Sequence, residues 1–152
     1  MNAPQPRILP DDESEIWRQG YLEAFCDTTS AHYQKYVATL TQFSDGLHYT
    51  GYIWECLRGA FPITVQRLRN ELVVRGELFV MADDHSRDRI RAPLWPYDRN
   101  SVAVFQSNDL LQSFDSLPED FYVFDSSLTW TVVHTHEDDG KRRWCLAVGI
   151  AR

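Results

Sequence analysis

The stretch that decides the fold is Phe121-Tyr122-Val123-Phe124-Asp125-Ser126-Ser127-Leu128-Thr129-Trp130-Thr131-Val132-Val133-His134-Thr135-His136-Glu137-Asp138-Asp139-Gly140-Lys141. Phe121 to Phe124 is a short apolar run. Asp125-Ser126-Ser127 reads as a hairpin corner, because Asp and Ser side chains bond their own backbone in turns. Leu128 to Thr135 follows as a second strand. Glu137-Asp138-Asp139-Gly140-Lys141 makes another hairpin turn, and the chain returns through Trp144, Leu146, Val148 and Ile150 at a period of two. Strands joined this closely pair antiparallel.

Upstream, Leu78, Val80 and Ala82 alternate with Glu77, Phe79 and Met81, a strand buried on at least one face. Val102 to Phe105 is another strand, and Ser107 caps a brief helix through Leu110, Leu111 and Phe114. The first half has the helical period instead. Asp12 or Ser14 caps a helix to about Cys26, with Ile16, Trp17, Gly20, Leu22, Phe25 and Cys26 on its stripe. Residues 31–43 fit a helix through Tyr33, Tyr36, Val37 and Leu40, with strand as the open alternative. Tyr49, Tyr52, Ile53, Cys56 and Leu57 keep helical spacing as far as Gly59. Pro62 suits the first turn of a further helix that carries Val65, Leu68, Leu72 and Val73 to the core. Residues 1–10, with Pro4, Pro6 and Pro10, read as a disordered lead-in. The expectation is one α+β domain over residues 11–152, its N-terminal helices packed on a mainly antiparallel C-terminal sheet of about five strands.

Composition narrows the function. A chain of 152 residues suits one domain, and 13% aromatic residues exclude a disordered or collagen-like chain. A formal charge of −7 argues against a nucleic-acid binder. No run approaches the roughly 18–20 apolar residues of a membrane span, and the N-terminus lacks the apolar core of a signal peptide. Cys26, Cys56 and Cys145 are odd in number and widely spaced, which predicts reduced thiols in a cytoplasmic protein. The glycines stand singly, with no phosphate loop, nucleophile elbow or dinucleotide fingerprint, so no cofactor is expected.

Three clusters carry candidate chemistry. His134 and His136 are two apart, and in a regular strand they share a face, where both imidazoles could reach one metal with Asp83 or His85 as a third ligand. With Glu137 the same pair could serve a small metal-dependent or general acid/base enzyme. The plainer reading is hydrogen-bonded histidines near a strand end. Asp83-Asp84-His85-Ser86-Arg87-Asp88-Arg89 is a polar run after an apolar strand, the place where loops carry recognition residues on a rigid sheet. Pro93-Leu94-Trp95-Pro96-Tyr97 is an aromatic loop that covers the sheet edge or presents an interface anchor.

The acid is unevenly placed. Up to Arg75 there are 7 basic against 9 acidic residues, and beyond it 8 against 13. The second half gathers its acids at Glu119-Asp120, Asp125 and Glu137-Asp138-Asp139. Acid-bearing loop ends meet a basic partner and speed its encounter. The expected contact surface is therefore Asp83, Asp84, His85, Arg87, Asp88, Glu119, Asp120, Asp125, Glu137, Asp138 and Asp139.

Tyr49-Thr50-Gly51-Tyr52-Ile53-Trp54-Glu55-Cys56-Leu57 and the run from Pro118 through Thr131 into Thr135-His136-Glu137 go together with Phe79-Val80-Met81 and Asp84 to Ile90. In these motifs residues 46–150 resemble a group of short bacterial proteins of unassigned function, some of them similar to immunity proteins of secreted toxin systems. The resemblance implies a non-catalytic protein that neutralises a basic toxin through an acidic surface. It transfers no catalytic residue.

Overall fold

The computed structural model describes residues 6–39, 51–83, 101–138 and 143–152, and of residues 137, 138, 143 and 144 only the backbone. Among the described residues the sheet has seven strands, not about five. They are β1 (Arg7–Ile8), β2 (Phe61–Ile63), β3 (Glu77–Ala82), β4 (Ala103–Gln106), β5 (Phe121–Phe124), β6 (Thr131–Asp138) and β7 (Arg143–Val148). Their order across the sheet is β1-β4-β3-β5-β6-β7-β2. Every described pairing is antiparallel.

The two additional strands are the edges, and both are too short to show a period. β1 lies inside the segment read as a disordered lead-in, where Arg7 and Ile8 pair with Val104 and Ala103. β2 holds Pro62, expected at a helix start. An edge strand tolerates proline because one side of the strand has no ladder to complete. Thr64 then caps the helix, its hydroxyl accepting the Arg67 N–H at 3.0 Å.

Among the described residues, three α-helices flank the sheet: α1 (Asp11–Phe25), α2 (Val65–Val73) and α3 (Ser107–Ser113). They do not form one N-terminal layer. Leu68 and Leu72 of α2 and Leu110 of α3 pack with Leu78, Val80, Phe121, Val123, Val132 and Cys145 on one face. Tyr21 and Phe25 of α1 pack with Phe79, Met81, Tyr122, Phe124 and Val133 on the other, together with Ile53 and Cys56. Val73, expected in the core, is exposed. β3 and β5 are covered on both sides, so they read as apolar runs rather than as strict alternation.

Helix boundaries differ where tertiary contacts override local signals. Pro10 occupies the cap position of α1 without a side-chain bond. Ser14, a candidate cap, is buried and instead joins Leu9 O to Val102 N, tying α1 to the start of β4. Residues 31–37 are helical and include the π-helical turn Tyr33–Val37. Of the expected helix at 49–57, residues 49 and 50 lie outside the described residues, and residues 51–57 form only the 3₁₀ turn Ile53–Cys56. Gly149 has a φ of +78, and a Cβ there would collide with the Thr129 carbonyl, so only glycine closes β7 against the β5–β6 turn.

Candidate functional site

Antiparallel pairing brings most of the segments singled out in the sequence to one end of the sheet. β3 ends there just before Asp83, β5 begins there after Glu119-Asp120, and β6 runs there through His136 to its end at Asp138. The Asp83 N–H donates to Asp120 O at 3.0 Å, which carries the ladder one step past the strands. Asp125 lies at the opposite end, in the β5–β6 turn. Asp84, His85, Arg87, Asp88 and Asp139 lie outside the described residues, as does the Trp95 loop.

Two of the expected contact residues are interior. Asp83 has 0% and Asp120 3% of its surface exposed. Asp83 accepts the Tyr122 hydroxyl in a short bond and the Ile53 N–H at 2.9 Å. The Tyr122 oxygen in turn accepts the Trp54 N–H at 2.9 Å. A single carboxylate–phenol pair thus fixes the 3₁₀ turn to the sheet. Burial, reinforced by the Asp83 charge, raises the Tyr122 phenol well above its ordinary range. Arg18 is buried beside this corner, with Nη1 donating to Ala82 O at 3.5 Å.

Asp120 organises the neighbouring strand end. One carboxylate oxygen accepts the His136 N–H at 2.9 Å and the Nδ1–H at 3.0 Å, with the second oxygen 3.1 Å from Nδ1. The imidazole is 33% exposed and lies beside Tyr52 and Trp54, whose rings stack on each other. The Trp54 indole N–H is buried without a hydrogen-bond partner among the described residues.

His134 faces the other way. It stacks on Phe121 at 5.1 Å and meets Phe114 edge-on at 5.6 Å, both rings of the α2–α3 face. Its Nδ1 donates to Glu119 O at 2.6 Å, since a carbonyl oxygen only accepts. The separation comes from the β6–β7 register. His134 opposes Cys145 and Asp138 opposes Arg143, so β6 carries two more residues than β7 over this span. Such a bulge breaks the alternation that would have kept both histidines on one face. The two imidazoles therefore do not converge as the alternative metal reading would need, each is hydrogen-bonded as in the plainer reading, and the described residues contain no group of three His, Cys, Asp or Glu able to hold a metal ion.

Glu119 is exposed at this end. Bulges give no signal in a single sequence, and Tyr122, which holds the corner together, reads there as an ordinary core aromatic. No helix among the described residues is long and apolar enough to cross a membrane. Comparison with protein-family models, curated proteins and solved structures returned no match.

Proposed function

We propose that this is a non-catalytic interaction protein that recognises a basic partner through the sheet end bearing Glu119, His136 and the strand ends at Asp83 and Asp138. The observation that carries the reading is Asp120, a buried carboxylate that holds both the backbone and the ring of a part-exposed His136. Asp83 does the same for the turn beneath it through Ile53 N–H and Tyr122. Strand ends fixed in this way lose little freedom on binding, which lowers the entropic cost of association. The chain's −7 charge and its exposed Glu119 suit a cationic surface. In this reading Asp83 and Asp120 are supports rather than contacts.

The resemblance to immunity-like proteins supplies a concrete form: a basic toxin whose active surface is covered by this acidic end. Calorimetric titration with the product of an adjacent gene tests it. Binding that weakens with Glu119→Lys supports the reading, and a toxic neighbour that does not bind removes it.

One geometry favours a second reading. A part-exposed imidazole with Nδ1–H held by a buried carboxylate is the arrangement of a general acid/base histidine. A hydrolytic activity abolished by His136→Ala, with partner binding intact, would favour that reading.

A further inference from the structure

The helices α1 and α2, on opposite faces of the sheet, carry opposite charge. On α1, Asp11, Asp12, Glu13, Glu15 and Glu23 are exposed, and the single base, Arg18, is buried. Among the described residues none of these five carboxylates is in an ion pair. Acids in the first turn complement the helix dipole, but Glu15 and Glu23 lie beyond that turn. Arg58 closes the far end of the helix by donating to the Glu23 and Ala24 carbonyls.

α2 and the two residues after it run the other way. Residues 65–75 hold Arg67, Arg69 and Arg75 against Glu71 alone. Glu71 is shared between Arg67 at 2.9 Å and Arg75 at 3.3 Å. Among the described residues Arg69 pairs with no carboxylate and rests on the Phe114 ring at 4.8 Å. α3 beside it carries Asp109 and Asp115, so the cationic strip follows α2 and not the whole face.

Each strip also holds exposed apolar residues. Ile16 is 68% exposed, with Asp12, Glu13 and Gln19 on the neighbouring turns. Val73 and Val74 are 56% and 78% exposed, one turn beyond Arg69 and beside Arg75. These three are the large apolar side chains exposed among the described residues. An apolar centre within a charged rim is the form of an interface core.

We propose that copies of this chain associate head to tail, with α1 of one copy on α2 of the next. Ile16 meets Val73 and Val74, and the α1 carboxylates meet Arg67, Arg69 and Arg75. The two helices cover opposite faces of the sheet, so the match is made between chains and not within one. Such a contact joins two different surfaces, and it closes as a ring or grows as a row. The overall charge of −7 opposes it only weakly, because charges beyond roughly 8 Å are screened at physiological salt and the facing ones decide. The inference does not depend on the function proposed above.

Sedimentation velocity of the full chain is the test. The mean mass should rise above the 17.7 kDa of one chain as concentration is raised about a hundredfold. Ile16→Lys sets a cation against the α2 arginines, and Val74→Glu sets an acid against the α1 carboxylates. Each should weaken association about tenfold or more. Both positions are more than half exposed, so the variants keep the fold. An equimolar mixture of the two should recover pairing, because the first keeps its α2 surface and the second its α1 surface. Association that survives either variant, or a mixture that stays monomeric where the parent assembles, overturns the proposal. A parent chain that stays monomeric throughout also overturns it and leaves both helices to other partners.

Discussion

His134 and His136, two residues apart on one strand, stand on opposite faces of the sheet: His134 against Phe121, His136 against Tyr52 and Asp120. The bulge between His134 and Asp138 separates them. Side chains on opposite faces of a sheet pack against different neighbours and contribute nearly independently to stability. The double variant His134→Ala/His136→Ala should lose the sum of the single losses to within about 0.5 kcal/mol in denaturant melts. A larger coupling would mean that the two rings share an environment.

Asp83 and Tyr122, by contrast, are coupled through one bond. Tyr122→Phe removes a donor from a fully buried carboxylate and should cost about 1.5–3 kcal/mol, read from the denaturation midpoint at unchanged slope. Asp83→Ala also leaves the Ile53 N–H without its acceptor. The two substitutions should be strongly non-additive, because either one breaks the same bond.

The alkaline limb of stability has a specific origin. Burial raises the Tyr21 and Tyr122 phenols well above 10.0, and the Cys26 thiol from 9.0 to about 12. A folded value above the unfolded one means the unfolded chain releases protons first. The stability from these groups is intact below pH 9, declines from there upward, and is lost as the folded values are passed. Tyrosinate absorbance should show the Tyr21 and Tyr122 phenols ionising only with unfolding. Smooth titration of every tyrosine before unfolding would contradict the burial of these phenols.

Asp125 works in the other direction. Burial opposes its ionisation, but hydrogen bonds from Ser127 and the Trp130 indole outweigh this and hold its carboxyl below 3.8. Its contribution is present above pH 3.8 and disappears as pH falls through the folded value. Asp125→Ala should cost about 1–2 kcal/mol near neutrality. That difference from the parent should vanish in acid melts.

What the sequence makes legible follows from periodicity. β5, β6 and β7 were readable because apolar runs and turn residues alternate over enough positions to set a pattern. β1, with two residues, and β2, with three around Pro62, carry no period and exist through pairing with β4 and β7. Within residues 51–57 of the expected helix only one 3₁₀ turn forms, because Ile53 and Trp54 give their N–H groups to Asp83 and Tyr122 rather than to a preceding turn. Asp83, Asp120 and His136 were legible as polar residues at strand ends. Their burial was not, because it depends on which strands lie beside them.

The most direct test of the proposed recognition surface is calorimetric affinity for a basic protein encoded beside this one, with single lysines placed at the two ends of the sheet. Glu119→Lys should weaken binding about tenfold or more, and Ser126→Lys, on an exposed residue of the opposite turn, should leave it unchanged. Equal weakening by both, or none by Glu119→Lys, would contradict the assignment of recognition to the Asp120–His136 end.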